Sequence, residues 1–126
     1  MRTFFLFLSR QKHLRKWMET SRWARRLSAR FVAGDNLADA LETCQRINGE
    51  RIAVTLDHLG ENVTSPAEAA ASRDAYLEAL QEIGKRKIDG NVSLKLTQFG
   101  MDLSLDECRA NVEALVRQAA AMGNFV

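Results

Sequence analysis

The sequence has few cysteines, no long apolar run and no glycine-rich phosphate-binding motif. Its two cysteines, Cys44 and Cys108, stand far apart and outside any Cys-x-x-Cys or histidine-bearing cluster. This spacing argues against a disulfide framework or a metal site, and predicts two reduced thiols buried in helices. The apolar run near the start, 4–8, is too short for a secretory signal or a membrane span. We therefore expect a cytoplasmic protein without a bound metal.

Positive charge is concentrated at the N-terminus. Residues 1–30 contain nine of the 18 Lys and Arg residues and one acid, Glu19, whereas the rest of the chain contains nine bases and 15 acids. The pattern predicts a basic helical segment over 1–31, whose simplest interpretation is a solvated helical face. The segment could also make a peripheral contact with an anionic membrane. Its tryptophans are too weak a signal for nucleic acid, which we do not expect as a partner.

Strand-like and helix-like patterns alternate along residues 32–126. Short apolar segments predict strands at 52–57 and 91–96, and the closing Asn-Phe-Val predicts the start of a third strand. Capping boxes predict two helix starts, and an apolar face of helical spacing, from Leu37 to Ile47, predicts another helix capped by Asp35 or Asn36. Three glycines are expected to end these helices: Gly49, Gly84 and Gly123.

This order predicts an α/β fold with a parallel sheet. The strands begin about 39 and then 33 residues apart, close to the period of about 31 residues in an eight-unit barrel. We expect residues 32–126 to form the opening βα units of an incomplete (βα)8 barrel of the TIM type: two strands and the start of a third. An open doubly wound sheet is the alternative, but the turn DHLGEN has one glycine and no G-x-G-x-x-G occurs.

Both predicted strands have an apolar and a polar face, because apolar and polar residues alternate along them. Since helices must cover the apolar face, the polar face should line the inside, where Lys95 would hold an anionic group such as a carboxylate or pair with Asp57. The alternative is a solvated Lys95 on an edge strand, with Asp57 as an ordinary turn residue and His58 as a loop histidine. The polar face comprises Thr55, Asp57, Ser93, Lys95 and Thr97.

Four strings resemble, in order and spacing, the bacterial monofunctional proline dehydrogenases: RFVAGDNLADAL, VTLDHLGENVTSPAEA, NVSLKLTQFGMDL and GNFV. The resemblance covers residues 30–126. It implies a flavin enzyme on a (βα)8 barrel that binds FAD and oxidises L-proline to 1-pyrroline-5-carboxylate by hydride transfer to the flavin. It further implies that the electrons pass to the membrane quinone pool.

The resemblance also implies roles for three residues. Lys95 matches the lysine of the family's S-x-K-L-T strand, which pairs with the carboxylate of proline. Glu61 matches a glutamate associated with an ionic gate over the substrate. Asp57 matches an acidic residue at the end of the first strand, so Glu61 and Asp57 are both expected near the pocket mouth.

The resemblance stops before the family's later motifs. An acidic motif after the third strand, most flavin contacts and an arginine pair that clamps the carboxylate have no counterpart in the sequence. We therefore assign no catalytic residue, expect the flavin-binding residues to lie elsewhere, and expect the chain alone to be inactive. Two alternatives remain: a non-catalytic α/β module whose basic N-terminal helix binds a membrane surface, and an enzyme that uses Lys95 as a Schiff-base nucleophile.

Overall fold

The computed structural model describes residues 32–34, 36–60 and 63–126. The basic segment predicted over 1–31 lies outside the described residues, and so do Asp35 and the predicted gate residue Glu61. The described elements are α1 (Leu37–Gly49), β1 (Val54–Leu56), α2 (Pro66–Lys85), β2 (Gly90–Val92), a 3-10 helix (Leu96–Phe99) and α3 (Leu105–Ala121).

β1 and β2 form a parallel pair, as the alternation of strands and helices predicts. α2 is the crossover that a parallel connection requires. The predicted strand lengths are wrong, because pairing stops at Val92 and the chain turns into the 3-10 helix at Leu96. Lys95 keeps an extended backbone, with φ −118° and ψ 123°. The register joins Val54 to Gly90, Thr55 to Asn91 and Leu56 to Val92.

Residues 124–126 lie beside β2 without strand pairing in the described part of the chain. The side-chain amide of Asn124 donates to the backbone oxygen of Gly90 at 2.9 Å, and Val126 packs against the core. The start of a third strand therefore stays a prediction.

The (βα)8 barrel also stays a prediction, because two parallel strands are equally compatible with a barrel and with an open sheet.

The apolar faces of the helices and strands pack into one core. Val54, Leu56 and Leu94 are half-buried against it, so the helices cover the apolar side of the sheet as predicted. Polar side chains of the strands must therefore project from the opposite side. The largest fully buried side chains are Tyr76, Phe99, Leu41, Leu80, Leu115, Gln98 and Val92.

Both cysteines are buried and free, which confirms the prediction from their spacing. Cys44 lies in α1 and Cys108 in α3, each on the face that meets the core. Burial raises the pKa of both thiols, since a thiolate loses hydration in an apolar environment. Both residues therefore pack as small apolar side chains.

The helices begin where their capping residues predict. Ser65 and Ser104 each accept a hydrogen bond at 3.3 Å from the backbone N–H three residues later, and Pro66 is the first residue of α2. Asn36 caps α1 by accepting from the N–H of Asp39 at 3.0 Å. Each cap satisfies a donor that the first turn of a helix leaves without an intrahelical partner.

The predicted helix ends are right at Gly49 and Gly123 and one residue early at Gly84. Gly123 follows α3 with φ 67°, the left-handed conformation expected there. Gly49 is the last residue of α1, but the left-handed residue after this helix is Arg51. α2 continues past Gly84 to Lys85, and its left-handed residue is Lys87. A Cβ atom at Gly84 would overlap the end of the Met122 side chain, which would have to shift.

No helix in the described ranges is both long enough and apolar enough to cross a lipid bilayer.

Leu80 and Leu105 form a matched pair for measuring how much the core contributes to the free energy of unfolding. Leu80 is 0% exposed and Leu105 is 70% exposed. We expect Leu80→Ala to lower the free energy of unfolding by about 2–5 kcal/mol, because it leaves a cavity, and Leu105→Ala by less than about 0.5 kcal/mol. Urea unfolding of the two variants checks this. Equal losses would contradict the packing described above.

Candidate functional site

Asp57 and Lys95 meet just beyond the carboxyl ends of the two strands. The register places Leu56 opposite Val92, and the N–H of Ser93 still donates to the oxygen of Leu56 at 2.9 Å. The next residue of the first strand segment is Asp57, and the extended chain after β2 carries Lys95 to the same edge. The Lys95 Nζ atom lies 3.5 Å from Oδ2 of Asp57.

This pairing is one of the two arrangements that the sequence predicts for Lys95. The Lys95 and Asp57 side chains are 44% and 41% exposed, so both remain accessible to solvent. An ion pair this exposed contributes about 0–1 kcal/mol to stability, because water screens both charges. The pair therefore leaves a reachable ammonium on the polar side of the sheet. The role of Lys95 toward a substrate carboxylate stays a prediction.

The buried Tyr76 connects this ion pair to the protein interior through a hydrogen bond with Asp57. Its side chain comes from α2, is 2% exposed, and places its hydroxyl oxygen 3.0 Å from Oδ1 of Asp57. The same oxygen accepts from the backbone N–H of His58 at 3.1 Å and lies 3.4 Å from Oε1 of Gln98. A hydroxyl has one proton, and the shorter contact to a carboxylate takes it. Tyr76 therefore donates to Asp57.

The side-chain amide of Gln98 contacts both the ring and the backbone of His58, the residue whose N–H donates to the Tyr76 hydroxyl. Gln98 is 1% exposed, and its Nε2 atom donates to the backbone oxygen of His58 at 3.1 Å. Since that oxygen can only accept, the amide nitrogen must face His58. The same nitrogen lies 3.1 Å from Nδ1 of the His58 ring. Nδ1 is then the acceptor, and the neutral ring carries its proton on Nε2.

The pKa of Tyr76 is raised to about 12. Burial is the main cause, because the phenolate would lose its hydration, and the nearby Asp57 carboxylate raises the pKa further. The N–H of His58 acts in the opposite direction, since it would stabilise the anion. Tyr76 is therefore a neutral hydrogen-bond donor throughout the physiological pH range.

The other three polar residues predicted for this side of the sheet are Thr55, Ser93 and Thr97. Thr55 donates to Oδ1 of Asn91 at 2.8 Å, which links the two strands on their exposed face. Ser93 is half-buried beyond β2. The placement of Thr97 on a strand is wrong, because Thr97 lies in the 3-10 helix. The polar face thus extends to Lys95 and no further.

A separate depression of about 520 Å³ lies along the strands near their amino ends. Its lining includes Val54, Thr55, Gly90 and Met122. It contains none of the polar cluster, which consists of Asp57, His58, Tyr76, Lys95 and Gln98. In the described part of the chain, no group of three or more His, Cys, Asp or Glu side chains could hold a metal ion.

Sequence reasoning missed Tyr76 and Gln98 as members of this site. Tyr76 fits the apolar face of α2, and its spacing gave no reason to separate it from the leucines beside it. A signal was available, since a buried tyrosine hydroxyl usually finds a hydrogen-bond partner. Gln98 carried no local signal, because its role depends on the fold bringing it to His58.

The fold and the polar cluster define a segment of a parallel α/β protein with a charged site at the carboxyl ends of its strands. The chain is homologous to proline dehydrogenases over most of its length. It is 38% identical over 120 residues to proline dehydrogenase 1 of Bacillus subtilis subsp. natto, which is 94% of this chain. It is 30% identical over 119 residues to proline dehydrogenase 2 of the same organism. It is also 30% identical over 107 residues to the proline dehydrogenase of Deinococcus radiodurans, which is 79% of this chain.

The chain spans a minority of the length of these relatives. The match covers 39% of the first Bacillus protein, 38% of the second and 33% of the Deinococcus protein. No protein-family model matches the chain. The homology therefore concerns one part of an oxidoreductase.

The raised pKa of Tyr76 predicts a loss of stability in alkali. Its folded-state pKa of about 12 exceeds the ordinary value of 10.0, so the contribution is fully present below about pH 10 and is lost as the pH rises through about 12. Urea midpoints at about pH 9 and about pH 11.5 should therefore differ more for the natural chain than for Tyr76→Phe. An identical fall in the two proteins would contradict this assignment.

Proposed function

We propose that this chain forms part of a flavin-dependent proline dehydrogenase, which oxidises L-proline to 1-pyrroline-5-carboxylate. The observation that carries the proposal is the identity to several proline dehydrogenases along nearly all of the chain. The proposed fold of the complete enzyme is a (βα)8 barrel, to which residues 32–126 contribute the first units. The parallel β1–α2–β2 arrangement is compatible with this fold.

Lys95 is proposed to bind the carboxylate of proline. The support is its position: an accessible ammonium lies beyond the carboxyl end of a parallel strand, where barrel enzymes build their active sites. An ammonium attracts a carboxylate and can donate up to three hydrogen bonds to it. Asp57 is proposed to lie at the mouth of the pocket beside Lys95. Glu61, outside the described residues, is proposed as a gate residue.

The described residues do not by themselves fit FAD. The loop after β1 has one glycine in its described part, Gly60, and a Cβ atom there would make only ordinary contact with Gln98 at 3.4 Å. No close backbone approach to a phosphate is built at this position. FAD is proposed to bind to other parts of the enzyme, where it would supply the hydride acceptor, with the quinone pool as the final electron acceptor.

The alternative of a non-catalytic module that binds a membrane gains no support. The basic segment on which it rests, 1–31, lies outside the described residues. The Schiff-base alternative also gains none, because a lysine nucleophile is activated by an apolar pocket or a neighbouring cation, whereas Lys95 is partly exposed and lies beside the Asp57 carboxylate. Proline oxidation is the function that the observations favour.

A chimeric enzyme tests the role of Lys95. The region of Bacillus proline dehydrogenase 1 that aligns with this chain is replaced by the corresponding residues of this chain. We expect Lys95→Ala to raise the KM for L-proline by about tenfold to a hundredfold, because a charged hydrogen bond contributes about 1.5–3 kcal/mol. Steady-state kinetics with a dye acceptor measure the effect.

Lys85→Ala is the matched control. Lys85 lies on α2, is 67% exposed, and forms its own ion pair with Glu82. It should leave the KM unchanged. An active chimera whose KM is the same with Lys95 and with Ala at that position would refute the carboxylate-binding role.

The isolated 126-residue chain should neither retain FAD nor oxidise proline. The described residues leave Lys95 and Asp57 accessible to solvent and do not enclose a ligand. Flavin absorbance of the purified chain and proline-dependent dye reduction check this expectation. Either signal, in stoichiometric amount, would show that the chain assembles a complete site.

A further inference from the structure

The two carboxylate oxygens of Asp57 have different environments. Oδ1 accepts the proton of the buried Tyr76 hydroxyl at 3.0 Å. Oδ2 faces the ammonium of Lys95 at 3.5 Å. One oxygen is therefore attached to the interior, while the other meets the partly exposed ammonium of Lys95.

The hydrogen bond from Tyr76 is strengthened by its own partner. The backbone N–H of His58 donates into the Tyr76 oxygen at 3.1 Å, which draws electron density from that oxygen and makes its proton a better donor. The Tyr76 ring cannot move away, because it packs at an edge-to-face angle of 62° against Phe99, with ring centroids 5.3 Å apart. The donor to Asp57 is thus both polarised and fixed.

The contact to Lys95 is the one that opens more easily. It is longer, both side chains are about two-fifths exposed, and the lysine side chain is flexible. The Tyr76 contact is shorter and comes from a side chain that is 2% exposed. A ligand that competes at this place would therefore separate Lys95 from Asp57 and leave Asp57 attached to Tyr76.

We propose that Tyr76 is a positioning residue, which holds Asp57 as a displaceable counter-ion of Lys95 so that a small carboxylate can replace Asp57 at the ammonium. Tyr76 acts through Asp57 and touches no substrate itself. The identity of the carboxylate as proline rests on the proposed function. The counter-ion arrangement rests on the described contacts alone.

Removing the hydroxyl should strengthen the internal ion pair. Without the Tyr76 proton, Oδ1 keeps more of its negative charge, and the carboxylate is free to turn both oxygens toward Lys95. An entering carboxylate would then compete against a closer partner. Asp57→Asn has the opposite effect, because it removes the competing charge and preserves the side-chain shape.

The first test uses the 126-residue chain and no ligand. Acylation requires the free amine, so a closer ion pair slows it. Limiting acetic anhydride and peptide mapping give the rate at Lys95 relative to Lys85. We expect Tyr76→Phe to lower this ratio by about threefold to tenfold and Asp57→Asn to raise it by a similar factor, the range that follows when one charged-group hydrogen bond changes strength.

Thr55→Val is the matched control for this test. It removes a hydroxyl from the first strand with little change of shape, and that hydroxyl donates to Asn91. The Lys95 ratio should stay unchanged. Equal changes in Tyr76→Phe and Thr55→Val would overturn the proposal, because they would mean that the loss of any nearby hydroxyl alters Lys95. If Tyr76→Phe does not fold, an unchanged ratio in Asp57→Asn overturns it equally.

The second test uses the active chimera. Tyr76→Phe should raise the KM for L-proline by about threefold to tenfold with little change in kcat, and Asp57→Asn in the same protein should reverse the rise. Loss of activity without this reversal would make Tyr76 a structural residue and overturn the proposal. A chimera that is inactive with the natural residues would count against the proposed function instead, and the acylation ratios would then decide the counter-ion proposal.

Discussion

The parallel pairing of β1 with β2 is the constraint on which the polar cluster depends. Its register places Leu56 beside Val92, so Asp57 emerges at the edge that Lys95 reaches two residues beyond Ser93. α2 makes the crossover and contributes the buried side chains that keep the apolar side of the strands against the core. The charged residues are then left on the side that the helices do not cover. A shift of one residue in this register would exchange the two faces and remove the site.

Tyr76 joins the stability of the core to the geometry of the site. Its ring packs against Phe99 inside the molecule, and its hydroxyl ends at Asp57 on the polar side. Burial alone would make such a hydroxyl unfavourable, and the contacts with Asp57 and His58 offset that cost. The same contacts order the carboxylate that faces Lys95. The ring and the hydroxyl of one residue can therefore be studied separately, because phenylalanine preserves the first and removes only the second.

The homology concerns the chain as a whole, and the geometry concerns single residues such as Lys95. The relatives are proline dehydrogenases, which this chain matches over most of its own length and a minority of theirs. The aligned length includes the whole polar cluster but assigns no residue a role. The geometry explains what Lys95 could do, since an accessible ammonium with an internal carboxylate partner is suited to exchanging one carboxylate for another. In the proposed complete enzyme, exclusion of water would strengthen the attraction of Lys95 for either carboxylate, because charges interact more strongly at lower dielectric.

Features that depend on neighbouring residues could be predicted from the sequence alone. Alternation in the strands predicted their polar and apolar faces, and Ser65 and Ser104 predicted the helix starts, because each cap acts within one turn of its own helix. The predicted stop at Gly84 was one residue early, because α2 continues to Lys85 and the left-handed conformation falls at Lys87. The partners of Tyr76 and Gln98 and the distance from Lys95 to Asp57 came from the fold. These contacts depend on strand register and helix packing, which join residues 18 to 40 positions apart in the chain.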